Sequence, residues 1–119
     1  AMNHVSFDFD GTLCKNGQPH PKTVELLHQH YKRGDTITIL TSRNPRHEHP
    51  SWWHENEPER VCVMQFVQDN HLPVQQVVFT DHTPKVDWLA QLGILIHYDN
   101  DPVEIDAIRQ FGRAGVLVS

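Results

Sequence analysis

Asp8-Phe9-Asp10 and Asp99-Asn100-Asp101 each set two carboxylates at alternate positions, the spacing at which side chains of a strand share one face. Each pair stands where an apolar run ends, residues 4–9 in one case and 94–98 in the other. If the two ends are neighbours, up to four carboxylates converge. Two like charges about 4 Å apart repel by roughly 4 kcal/mol at an effective dielectric near 20, so such a cluster either takes up protons or binds a cation. Hard oxygen donors without Cys or His beside them favour Mg2+. Asp101 has a structural alternative, because it precedes Pro102, Val103 and Glu104 as a good helix N-cap would. For Asp8 that alternative is weak, since a lone carboxylate next to a buried strand is costly. Thr41-Ser42-Arg43 stands at the end of another such run, TITILT.

These residues need elements that bring them to one place. Pro21 to Arg33 reads as a helix with Pro at its first position and Gly34 as terminator. Thr36 to Thr41 reads as a strand. A second helix is expected from Pro58 to about His71, burying Val61, Met64 and either Val63 or Val67. Val77 to Thr80 follows as a strand, then a helix from near Pro84 to Gly93 with Trp88 in the core. Ile94 to Tyr98 is the next strand, followed by a helix from the Asp101 cap to a point before Gly112. Val116 to Val118 closes the series. Alternation of this kind predicts an α/β fold: a three-layer, Rossmann-like parallel sheet of about five strands with helices on both faces and right-handed crossovers. The continuously apolar strands agree with a sheet buried on both sides. Binding sites in open sheets lie at the carboxyl ends of the strands, where Asp8, Asp10, Thr41, Ser42, Arg43, Asp81, Asp99 and Asp101 all fall.

Phe7-Asp8-Phe9-Asp10-Gly11-Thr12-Leu13 resembles the DxDGT(L/V) signature of haloacid dehalogenase-like (HAD) phosphohydrolases, and the resemblance runs along the chain. The family's second motif, a Ser or Thr after the next strand, is matched by Thr41. Its third, a Lys at or before a later helix, is matched by Lys85, and its acidic fourth by Asp99-Asn100-Asp101. The resemblance implies a phosphatase in which Asp8 attacks phosphorus to form an aspartyl-phosphate, while Asp10 serves as general acid and then base. Thr41 and Lys85 would hold the phosphoryl oxygens, with Ser42 and Arg43 as further substrate-binding candidates. Mg2+ would lie between Asp8, the Asp10 carbonyl, Asp99 and the substrate phosphate, with Asp101 as a direct or water-mediated ligand. The acid at Asp10 favours a phosphatase, because the family's ATPases carry Thr there and its dehalogenases lack the acid.

The family's cap domains are inserted after the first motif or after the third strand. Here those places hold only TLCKNGQPH and Asp81-His82-Thr83-Pro84, so the chain reads as capless. The resemblance then implies a phosphorylated small molecule or a nucleic-acid end as substrate, the latter as in a 3′-phosphatase, or a homo-oligomer that lends a lid. A non-catalytic binding module on the same fold is the remaining alternative. The longest irregular stretch, residues 43–59, carries Arg43, Arg46, three His and Trp52-Trp53, and long loops are often functional. Its functional reading is substrate recognition by Arg43 and a stacking Trp. Zinc at His47, His49 and His54 has little support without Cys. Asp81 and His82 are candidate substrate contacts.

The 119 residues suit one domain, expected over residues 2–119 with Ala1 set aside as a leftover of expression. Cys14 and Cys62 are too few for a disulfide framework and read as reduced thiols in a cytoplasmic protein, Cys14 as a bystander. No apolar run approaches the roughly 18–20 residues of a membrane span, and no membrane partner is expected. The formal charge is −5 with His neutral, which argues mildly against a nucleic-acid-coating protein. Four of those negatives belong to Asp8, Asp10, Asp99 and Asp101, so the acidity is expected to describe mainly a metal site.

Overall fold

A computed structural model describes residues 3–48 and 61–119. The main sheet comprises β1 (His4–Phe7), β4 (Thr36–Thr41), β5 (Gln76–Phe79), β6 (Ile96–Asp99) and β7 (Ala114–Leu117). Between β1 and β4 come a small hairpin, β2 (Cys14–Lys15) with β3 (Gln18–Pro19), and helix α1 (Pro21–Lys32). Helices α2 (Val63–Asp69), α3 (Lys85–Leu92) and α4 (Pro102–Gln110) make the remaining crossovers. The strand order is β5-β4-β1-β6-β7, and every pairing in it is parallel. The chain builds outward from β1 through β4 to β5, then returns to β1's other side with β6. That reversal puts the sheet's switch point between β1 and β6, where such folds place their ligands.

Alternation along the strands sorts side chains into two cores. Val5, Phe7, Ile37, Ile39 and Tyr98 pack with Leu27 of α1 and with Val63 and Phe66 of α2. On the opposite face Leu40 packs with Val86 and Leu89 of α3 and Ile105 and Ile108 of α4. The result is the expected three-layer α/β fold, with both faces of β4 buried.

Several boundaries differ from expectation. Helix α2 begins at Val63, and Val61 precedes it. Val63 and Phe66 form its buried side while Met64 is exposed, because the true register puts positions 63 and 66 on the inner face. The expected start at Pro58 lies outside the described residues, as do His49, Trp52, Trp53 and His54. Strand β6 starts two residues later than expected, and β7 runs over 114–117 rather than 116–118. Trp88 is only half-buried against the second core, its Nε1 donating to Thr83 Oγ1 at 2.8 Å.

The short stretch after β1 contains the hairpin instead of a cap. Asn16 and Gly17 take φ of 54° and 76°, as a two-residue type I′ turn requires. The link from β5 to α3 is equally brief, residues 80–84.

Candidate active site

β1 delivers Asp8 to the carboxyl edge of the sheet, where the Asp8 N–H donates to the Tyr98 carbonyl at 2.9 Å. Phe7 and Tyr98 are register partners, so the next residues, Asp8 and Asp99, stand level. Both carboxylates are buried. Lys85 opens α3 and is buried too. Its Nζ donates to Asp8 Oδ1 and to Asp99 Oδ2, at 2.7 Å each. One ammonium therefore bridges two acids at the switch point, leaving the trio one charge negative.

The surroundings push the two acids apart. Burial drives the Asp8 carboxyl up to about 7, the nearby Asp99 charge adding to it, despite the opposing charge and hydrogen bond of Lys85. Burial acts on Asp99 in the same sense, but there the hydrogen bond from His97 and the charge of Lys85 win and hold it down at about 2. The Lys85 ammonium is raised, burial being outweighed by Asp8 and Asp99. Asp8 is thus the member of the pair that takes up a proton near neutral pH, and a further positive charge beside it would ionise it.

Two residues absent from the expected site complete its floor. Thr12 Oγ1 donates to Asp8 Oδ2 at 3.0 Å and accepts from the Asn100 N–H at 3.1 Å. With its nitrogen inward, the Asn100 amide donates to Asp8 Oδ2 at 3.0 Å and to the Asp10 carbonyl at 3.2 Å. Gly11 is required in this corner. Its φ is 80°, and a Cβ there would overlap the Asn100 amide. Thr12 belongs to the DGT run and Asn100 sits between two acids, which are the signals that would have found them.

Asp10 is turned the other way. Its carboxylate is half-exposed and takes two parallel hydrogen bonds from Arg43, Nε to Oδ2 and Nη2 to Oδ1, both 2.8 Å. Arg43 is 5% exposed, its guanidinium 5.0 Å from the Phe9 ring centroid and donating to the Val61 carbonyl at 2.7 Å. The sequence suggested Arg43 as a substrate ligand; in the structure its fork grips Asp10. A cavity of about 410 Å3 opens beside this pair, lined by Asp10, Gly11, Cys14, Lys15, Arg43 and Val61 among others.

The remaining expected residues take these places. Thr41 is buried at the end of β4, its Oγ1 accepting from the Arg43 N–H at 3.4 Å. The carbonyls of Ser42 and Arg43 accept from the His82 and Asp81 N–H groups at 2.8 and 3.2 Å. Asp81 and His82 are exposed, with φ of 53° and 62°, a conformation uncommon outside Gly. Asp101 is exposed and caps α4, accepting from the Val103 N–H at 2.9 Å, so its structural reading holds. Its own N–H donates to Asp99 Oδ1 at 3.0 Å. Among the described residues no three carboxylate, imidazole or thiolate groups stand together as a metal cluster. The oxygens that do converge are Asp8 Oδ2, the Asp10 carbonyl and the Asn100 amide. Cys14 and Cys62 are free thiols, both raised by burial, which disfavours reactive thiolates.

Comparison with known proteins gives three kinds of likeness. Proteins named Class B acid phosphatase are similar in sequence. The one from Salmonella arizonae is 28% identical over 108 residues, 82% of this chain and 40% of the relative. The one from Proteus mirabilis is 24% identical over 112 residues, 87% of this chain and 42% of the relative. The chain therefore spans about two-fifths of the length of these relatives. In fold it is similar to a chain of the Pnkp1/Rnl/Hen1 RNA repair complex, with a TM-score of 0.69 and 14% identity over 98% of this chain and 42% of that one. The family model for haloacid dehalogenase-like hydrolases matches residues 5–66, the span that contains Asp8, Asp10, Thr41 and Arg43. With more than half of its length matched to that model, the chain belongs to the haloacid dehalogenase-like hydrolases.

Proposed function

We propose that the protein hydrolyses phosphomonoesters through an aspartyl-phosphate on Asp8. The observation that carries this reading is the Lys85 bridge, 2.7 Å to both Asp8 and Asp99, beside a cavity whose rim is the second acid, Asp10. The relatives named as acid phosphatases support the same reaction class.

In the first step Asp8 attacks phosphorus and the bond to the leaving oxygen breaks, that oxygen taking a proton from Asp10. In the second, water gives a proton to Asp10 and attacks the phosphorus of the aspartyl-phosphate, releasing phosphate and restoring Asp8. Thr41 and Lys85 bind the non-bridging oxygens; Lys85 has one N–H left after its two carboxylate contacts. Arg43 orients Asp10 toward the cavity and must release it when Asp10 carries a proton.

The converging oxygens fit Mg2+. With the Asn100 amide oxygen inward, its separations from Asp8 Oδ2 and the Asp10 carbonyl are those the amide nitrogen takes when turned in, 3.0 and 3.2 Å. Ligands about 2.0–2.1 Å from an octahedral Mg2+ stand about 3 Å apart along an edge. Asp8, the Asp10 carbonyl and Asn100 would hold the ion, with Asp99 behind them. When bound it would offset the negative charge of Asp8, Asp99 and the phosphoryl group.

The test is turnover of p-nitrophenyl phosphate, mononucleotides and a 3′-phosphorylated oligonucleotide, with Mg2+ and with EDTA. Release of phosphate that EDTA abolishes and Mg2+ restores is expected. Turnover indifferent to EDTA contradicts the metal, and no phosphate from any substrate contradicts the reaction. A strong preference for the oligonucleotide would identify a nucleic-acid end as the substrate.

A further inference from the structure

Beneath the acids lies a buried polar chain that the reaction as described does not use. His97 is 0% exposed and lies two residues before Asp99 on β6, so the two side chains share a face of the strand. One ring nitrogen, Nε2, is 2.8 Å from Asp99 Oδ2. The other, Nδ1, is 2.7 Å from Ser6 Oγ on the neighbouring strand β1. Ser6 is itself fully buried. A carboxylate only accepts, so Nε2 carries the ring proton and donates to Asp99. Nδ1 then accepts, and the Ser6 hydroxyl donates to it.

The carboxylate of Asp99 is thereby held by three donors. Oδ2 takes both His97 Nε2 and Lys85 Nζ, while Oδ1 takes the Asp101 N–H. Asp99 in turn fixes Lys85, whose ammonium must reach Asp8 with one hydrogen to spare. Without His97, Asp99 keeps its charge but loses a donor that defines its rotamer, and the Ser6 hydroxyl loses its partner.

We propose that His97, oriented by Ser6, is a positioning residue for phosphoryl transfer: it sets Asp99 so that the Lys85 ammonium stays aimed at the phosphoryl oxygens. This inference rests on the phosphatase reading of the site. Partners of this kind, one shell behind the reacting groups, typically affect activity by about 10–100-fold.

The test compares His97→Leu, which removes both hydrogen bonds, with His97→Gln, whose amide nitrogen can occupy the place of Nε2. Ser6→Ala and the double variant Ser6→Ala/His97→Leu complete the set. With p-nitrophenyl phosphate and Mg2+, His97→Leu is expected to lower kcat about 10–100-fold with KM within threefold. His97→Gln should recover most of that loss even if its melting temperature is no higher. Ser6→Ala should cost less, and nothing further in the His97→Leu background, because the two residues act in one chain. A His97→Leu enzyme within twofold of the parent kcat, or a His97→Gln enzyme no better than His97→Leu, would overturn the proposal. The ring tautomer supplies a reading independent of turnover and of how the variants fold. In the unaltered protein, 15N NMR should find the His97 proton on Nε2; a proton on Nδ1 would overturn the relay. Absence of turnover in the unaltered protein would refute the phosphatase reading, while the tautomer would still decide the hydrogen-bond chain.

Discussion

Asp8 and Asp99 share one ammonium at equal distance, yet they titrate in opposite senses, Asp8 rising to about 7 and Asp99 falling to about 2. Burial is the largest influence on both and raises both; at Asp8 it outweighs Lys85 and Thr12, whereas at Asp99 the hydrogen bond from His97 joins Lys85 and overcomes it. For stability the sign follows directly. A carboxyl near 3.8 when unfolded and near 7 when folded binds protons more tightly in the native state. Asp8 therefore costs nothing below about pH 4, costs progressively more as pH rises to 7, and reaches its full cost above that. His97, lowered by burial, has the opposite slope below its ordinary value, so the comparison must isolate Asp8. Melting temperatures without Mg2+ should show Asp8→Asn gaining on the parent protein between pH 4.5 and 8. One pKa unit is worth about 1.4 kcal/mol, which amounts to several degrees in a domain of this size. A difference that does not vary with pH would mean that Asp8 titrates normally. At Arg43 the expectation is kinetic: Arg43→Gln leaves Asp10 in place but without its bidentate partner and should lower kcat by about 10–100-fold, less than the 10²–10⁴ ascribed to a general acid as a whole. Unchanged kcat would show that the pair is merely structural. The proximity of Arg43 to Thr41 was legible in the sequence, but its partner Asp10 was not, because 33 residues separate them. Asn100 was hidden in another way, its role arising only where β6 lies beside β1.

At the scale of elements, the strands were the most legible because their apolar runs are continuous. Residues 36–41 were read to the residue, and α1 began at the Pro that announced it. Helix α2 shows why others were not. Its N-terminal N–H groups are capped by a residue from a distant segment: Glu48 accepts from the Val63 N–H at 2.9 Å and the Met64 N–H at 3.0 Å. Glu48 also accepts from Cys62 Sγ at 2.7 Å and stands 3.9 Å from Arg43 Nη1. A cap supplied across 15 residues leaves no local signature, and the Pro58 start that the sequence suggests lies outside the described residues. Glu48→Ala should destabilise the protein by about 1–2 kcal/mol, as the loss of a good N-cap does, measurable by urea unfolding. Stability equal to the parent would show that water replaces the cap. The β2–β3 strands, two residues each, were too short for a periodic signal, although Asn16-Gly17 marked their turn.

At the scale of the molecule, the order β5-β4-β1-β6-β7 makes the site. It sets β1 beside β6, and α3 then crosses the edge with Lys85 at its first turn. Among the described residues the two places where the family inserts caps hold a hairpin and a short link. Asp8, Asp10, Asp99 and Asp101 are partly offset by Lys85 and Arg43 at the same site, which leaves the cluster at −2 and the rest of the chain at −3 of the total −5. The acidity is thus spread more widely than the sequence suggested. No helix among the described residues is long and apolar enough to cross a membrane.

The central claim is that Asp8 becomes covalently phosphorylated, and trapping the phosphoryl group tests it most directly. Mixing the Mg2+-loaded protein with a 32P-labelled phosphomonoester and quenching in acid within a single turnover should leave label on the peptide that contains Asp8. That label should be released by hydroxylamine, as acyl phosphates are, and be absent from Asp8→Asn. Phosphate released at full rate with no label on the protein, or label that persists in Asp8→Asn, would contradict the account.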